Sequence, residues 1–108
     1  MKVKILGTEY EIITQKESEN RKLEGNNGLC EIYSKKIILG EIEDDIRNYD
    51  KLNLYKNRVL RHEIIHAFFA ESGLRSNSEY AENEELVDWI AIQVPKMLKI
   101  FQELNILD

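Results

Sequence analysis

Both histidines of this 108-residue chain fall in one five-residue run, His62-Glu63-Ile64-Ile65-His66, spaced i, i+4 around a glutamate. On an α-helix, residues four apart stand one turn above each other on the same face, so two imidazoles can point at one metal ion. Zinc suits such donors; it lowers the pKa of bound water from about 15.7 towards about 7 and polarises a carbonyl. Glu63 follows His62 directly and can sit beside the ion without being a ligand. From there its carboxylate can take a proton from the activated water and later deliver it to a leaving amine. The plain alternative is an amphipathic helix that carries His and Glu on a solvated face. Against it stand the concentration of both histidines in the motif, the helical character of the segment and a downstream carboxylate able to complete the ligand set.

Two histidines leave a tetrahedral zinc needing at least one more protein ligand, with the fourth position open for water. A His-Glu-x-x-His-x-x-Gly-x-x-His site is excluded, because Phe69 and Ser72 stand at its later positions. The third ligand should therefore be a carboxylate, and Asn83-Glu84-Glu85-Leu86-Val87-Asp88 is the best region for it. Glu84 is favoured because it shares a helical side with Val87, Asp88 and Ala91, the side expected to face inward. Glu85, about 100° around the helix, is the runner-up. Asp88, one turn after Glu84, can accept a hydrogen bond from the ring of one metal-bound histidine and orient it. Glu79 and Glu82 read as solvated surface.

These residues need elements to position them. Val3, Ile5, Tyr10, Ile12 and Ile13 are β-formers interrupted at Gly7-Thr8-Glu9, which reads as a first hairpin. Residues 15–26 are polar and lead to the turn-rich Gly25-Asn26-Asn27-Gly28. A second hairpin follows, Leu29 to Tyr33 and Ile37 to Leu39 around Ser34-Lys35-Lys36. One strand of so small a sheet should be an edge, and an open edge above a metal-binding helix can take an extended peptide by strand addition. From about Leu52 to Ser72 apolar residues recur at helical spacing, and Gly73 is a natural stop. Ser76 and Glu79 fit a capping box for a further helix, whose core side carries Leu86, Val87, Ile90, Ala91 and Val94. Pro95 predicts a kink or break there. Trp89 and the Phe68-Phe69 pair are expected in the core.

The bulk properties bound the function. With 43% hydrophobic residues, the chain suits one domain spanning residues 1–108 with one modest core. A net charge of -5 and a pI of about 5.1 disfavour a surface that grips phosphate backbones, so no nucleic-acid partner is expected. The acidic run of Glu41, Glu43, Asp44, Asp45 and Asp50 reads mostly as a solvated face. No signal-type or membrane-spanning apolar run is apparent, so the expectation is a cytoplasmic protein with no membrane partner. Cys30 is the only cysteine, which excludes an intrachain disulfide and a cysteine-based zinc site; it reads as a small packed residue. Arg75 and Tyr80 can approach the cleft, but the plainer readings are a surface charge and a packing residue.

The motif with Asn83-Glu84 and Asp88 resembles the gluzincin arrangement, in which the glutamate of Asn-Glu-x-x-x-Asp is the third ligand and the aspartate supports a histidine. Over residues 29–96, including Val87-Asp88-Trp89-Ile90-Ala91 and Val94-Pro95, the chain is similar to the small ImmA/IrrE-like metallopeptidases of bacteria, phages and mobile elements. The resemblance implies a zinc-dependent endopeptidase acting on an intracellular protein, often a regulator. The expected fold is α+β: a minimal zincin-like domain with a small antiparallel sheet of N-terminal hairpins packed on the metal-binding helix and a C-terminal helix kinked near Pro95. SprT-like proteases share the metal motif, but their action on DNA-bound proteins does not suit an acidic single domain. The expected ligands are His62, His66 and Glu84, with Glu63 as the catalytic acid/base. The rival reading is a non-proteolytic, metal-containing binding or regulatory module; a helical interaction protein with no metal is the weakest reading.

Overall fold

The computed structural model describes residues 1–41 and 49–108; Glu43, Asp44 and Asp45, and the side chains of Tyr49, Asp50 and Lys51, lie outside what it describes. Lys2–Ile5 (β1) and Thr8–Gln15 (β2) pair antiparallel as the expected first hairpin, with Ile5 opposite Thr8. Its turn is Leu6-Gly7, both at positive φ (49° and 86°), the conformation that lets a two-residue loop follow strand twist. Gly7 adopts it without a steric penalty. Along β2 the buried residues Tyr10 and Ile12 alternate with exposed Glu9 and Glu11 in part, the period of a half-buried strand. The polar connection then turns through a short 3₁₀ segment, Arg21–Leu23, capped by the Asn20 side chain and pinned by buried Leu23.

Gly28–Glu31 (β3) and Lys36–Gly40 (β4) form the second antiparallel hairpin. The expected all-antiparallel sheet is corrected: the order is β1-β2-β4-β3, and β2 and β4 run parallel, so the sheet is mixed. Burial explains the order. Ile37 and Ile38 are adjacent, so they point to opposite faces, and both are buried. A strand covered on both faces belongs inside the sheet. The residues of β3 are only half-buried, and β3 takes the edge.

Tyr49–Glu71 (α1) packs on the sheet. Ala67 joins Ile5, Tyr10, Ile12 and Ile37 in the core, with Leu60 and Ile64 packed against them. The helix stops where expected, before Gly73 in the left-handed region (φ 84°). At its end, the Glu71 carboxylate accepts from Lys35 Nζ (2.7 Å), Tyr10 Oη (2.8 Å) and Thr8 Oγ1 (3.1 Å), tying the helix to both hairpins. The Lys35 and Tyr10 bonds hold its pKa below the usual value.

A short helix, Leu74–Asn77 (α2), and a 3₁₀ turn, Glu79–Glu82, lead to Glu84–Glu103 (α3), which packs on α1. The expected Ser76–Glu79 capping box is not formed, because Ser76 lies inside α2. Asn83, extended at φ -73° and ψ 114°, caps α3 instead, its side chain accepting from Leu86 N at 2.8 Å. No break occurs at Pro95 either, since α3 runs through it. Proline cannot donate to the carbonyl of Ala91, but Arg61 Nε on α1 donates to that oxygen at 2.7 Å. Trp89 and Phe68 are also corrected, being exposed by 53% and 44%. Val87 and Ala91 face the core on α3, and Ala67 does so on α1, which turns these aromatics away from it. Among the described residues, no helix is long and apolar enough to cross a membrane.

Candidate metal centre

The i, i+4 spacing does on α1 what helix geometry requires: the His62 and His66 rings meet edge to face, with centroids 4.9 Å apart and their Nε2 atoms 3.2 Å apart. The candidate donor atoms of His62, Glu63 and His66 all lie within 4.8 Å of one another, a group that could hold a metal ion. From the first turn of α3, Glu84 brings Oε2 to 2.7 Å from His62 Nε2 and Oε1 to 3.1 Å from His66 Nε2. A tetrahedral ion with bonds of about 2.0–2.1 Å spaces its donors by roughly 3.3 Å, so two imidazoles and this carboxylate fit a small divalent cation. Glu85 follows one position later in the same helical turn, and the structure gives it no corresponding contact with the imidazoles.

Asp88 lies one turn beyond Glu84 and faces the other nitrogen of His62, with Oδ1 3.3 Å from Nδ1. Arg58 grips the same carboxylate, donating from Nη2 to Oδ2 at 2.5 Å and from Nε to Oδ1 at 3.4 Å. This guanidinium hydrogen bond holds the Asp88 pKa below its ordinary value. An ionised Asp88 favours a proton on His62 Nδ1 and so leaves the Nε2 lone pair towards Glu84 and His66. Sequence reasoning missed Arg58. The available signal was its position, four residues before His62 and so on the same helical stripe as both histidines.

Glu63 is only 5% exposed. Burial pushes its carboxyl up to about 7; His62 opposes the rise and Glu84 adds to it. Burial lowers the His66 pKa. Burial also pushes Glu84 up, but the neighbouring imidazoles outweigh it and leave its pKa lowered. Gly28 approaches closely: a Cβ there would lie 2.9 Å from Val59 Cγ1 and 3.2 Å from Glu63 Cγ. Absence of a side chain at position 28 is therefore what lets the edge strand lie against the motif.

These groups line a cleft of about 690 Å³, walled by residues 25–30 on one side and by α1 and the start of α3 on the other. The β3 edge carries usable backbone groups. Gly40 N donates to Asn27 O at 2.8 Å, and the pairing register then points the backbone of Asn27, Leu29 and Glu31 at β4. Alternation leaves the N–H and C=O groups of Gly28 and Cys30 directed away from β4. Burial pushes the Cys30 thiol up to about 12, so it is not a thiolate nucleophile at neutral pH, and it packs against the core as expected. Arg75 lines the cleft, whereas Tyr80 is 56% exposed and is not among its lining residues.

Comparison of the chain with models of known protein families, with curated proteins and with solved structures finds no match.

Proposed function

We propose that this chain is a zinc-dependent metallopeptidase of ImmA/IrrE-like type that hydrolyses a peptide bond in an intracellular protein. The observation that carries the reading is the convergence of His62, His66 and Glu84 at donor spacings of 2.7 to 3.2 Å, with the Glu63 carboxylate buried beside them. His62, His66 and Glu84 would hold the ion. A bound zinc acidifies water and polarises a carbonyl.

The remaining work falls to side chains and backbone. Glu63 accepts the proton of the attacking water and returns it to the departing amine, and its walled position keeps bulk water from competing. Asp88 holds the His62 ring in one tautomer, and Arg58 holds Asp88. The outward N–H and C=O groups of Gly28 and Cys30 pair with an extended substrate, which aligns the scissile bond with the cleft through contacts that do not depend on side chains.

Glu63→Gln tests the assignment. The variant is expected to bind zinc in the same stoichiometry by elemental analysis and to hydrolyse no peptide. Retained turnover would sink the role given to Glu63. A parent protein that holds zinc, unfolds on its removal and cleaves neither peptides nor a co-purifying partner would instead be the non-proteolytic binding module.

A further inference from the structure

The cleft holds a second guanidinium that the metal chemistry does not use. Arg75, on α2, lines both the cleft and an adjoining depression of about 270 Å³ formed with Cys30, Ile32 and Tyr33. It thus stands where a peptide laid on the β3 edge would pass from the metal-binding residues towards Tyr33.

Arg58 and Arg75 are committed differently. Arg58 spends Nη2 and Nε on Asp88. Arg75 pairs with Glu82, Nε lying 3.3 Å from Oε1, and with no other carboxylate among the described residues. Glu31, the acid that lines the depression, is paired with Lys22 at 3.3 Å. A planar guanidinium carries five N–H donors, more than one carboxylate can use, so a second carboxylate can be met by those left over.

We propose that Arg75 is the carboxylate receptor of the cleft, selecting peptides that carry a carboxylate a short way beyond the metal-binding residues along β3. Glu82 holds the guanidinium in position. The proposal rests on the peptidase reading for its site and adds the substrate class. An Asp or Glu side chain and a chain terminus both supply this chemistry, and the test separates them.

Zinc-loaded Glu63→Gln protein, which retains Arg75, is titrated with a matched set of short fluorescent peptides followed by anisotropy. One peptide is uncharged with an amidated C-terminus; the others carry a single Glu or Lys at successive positions, or a free C-terminus. A Glu, or the free terminus, is expected to tighten binding by about tenfold or more over the uncharged peptide. Adding Arg75→Gln should erase that gain while leaving the uncharged peptide unaffected, and Arg75→Glu should shift the preference to Lys. Equal affinities across the set, no binding by any peptide, or a gain that survives Arg75→Gln overturns the proposal; the first two are read without altering Arg75. Hydrolysis by the protein with Glu63 intact is scored separately. Carboxylate selectivity without products sinks the peptidase reading alone, and products without selectivity sink the role of Arg75 alone.

Discussion

Pro95 and Arg61 allow a quantitative test of how α3 is held against the metal-binding helix. Pro95 has no N–H for the carbonyl of Ala91, a residue with 0% exposure, and Arg61 Nε supplies the donor at 2.7 Å. Replacing Arg61 with Met keeps most of the aliphatic stem and strands that carbonyl. A hydrogen bond from a charged donor contributes about 1.5–3 kcal/mol, and an orphaned buried acceptor costs about 1–3 kcal/mol; these describe the same loss, so Arg61→Met should cost roughly 2 kcal/mol. Pro95→Ala returns an N–H to position 95, where it can close the ordinary helical bond to Ala91 O. In that background Arg61→Met should cost no more than about 0.5 kcal/mol, giving a coupling near 1.5 kcal/mol, well above the roughly 0.3–0.5 kcal/mol scatter of independent sites. Urea unfolding of the four proteins, all metal-free and followed by far-ultraviolet circular dichroism, measures the cycle, provided the m-values agree. An equal cost in both backgrounds would refute the argument, since Arg61 would then act through packing or surface charge and not through this carbonyl.

Other consequences are independent of that cycle. Asp88→Asn should weaken zinc binding by about 10- to 100-fold in a chelator competition, because the group that orients His62 and meets Arg58 loses its charge. Gly28→Ala should lower unfolding stability by about 1–2 kcal/mol, overpacking being offset in part by the entropy that alanine removes from the unfolded chain. The same Cβ, 3.2 Å from Glu63 Cγ, should reduce peptide turnover at full zinc occupancy, and wild-type kinetics would count against it. Glu71→Gln should destabilise the metal-free protein at neutral pH. The Glu71 pKa is depressed on folding, chiefly by Lys35 and then Tyr10, so its contribution is present above the unfolded value of about 4.3 and is lost as pH falls through the folded value. The gap between Glu71→Gln and parent should therefore close in acid, and a gap independent of pH would exclude the ionised form as its source.

What was legible in the sequence was local. His62 and His66 share a face because they are four apart on one helix, and Glu84 with Asp88 repeats that relation on another. Gly73 stops α1 for a reason contained in one residue. The sheet order was not local: whether β4 pairs with β2 in parallel depends on burial of both Ile37 and Ile38, a property of the assembled faces. The missed cap has a similar cause, since Ser76 and Asn83 are both competent caps and the backbone at 74–77 was already helical. Trp89 lies on a helix that must pack, which points to the core, whereas its phase relative to Val87 and Ala91 turns it outward. Pro95 reads as a breaker only while its surroundings are ignored, because the relieving donor is thirty-four residues away at Arg61.

The preference for Glu84 over Glu85 follows from the rotation of α3 about its own axis, and that rotation is fixed by contacts separate from the imidazoles. Asn83 starts the helix, which makes Glu84 its first residue. Val87 and Ala91 are buried, Arg58 grips Asp88, and Arg61 holds the carbonyl of Ala91. A slip of one residue would turn the helix by about 100° and bring Glu85 and Trp89 round in place of Glu84 and Asp88. It would also bring different groups to Arg58 and Arg61 and leave the carbonyl opposite Pro95 without its donor. The carboxylate is thus placed at His62 and His66 by α1–α3 packing as well as by its own charge, so the candidate donors are brought together by contacts that do not require an ion.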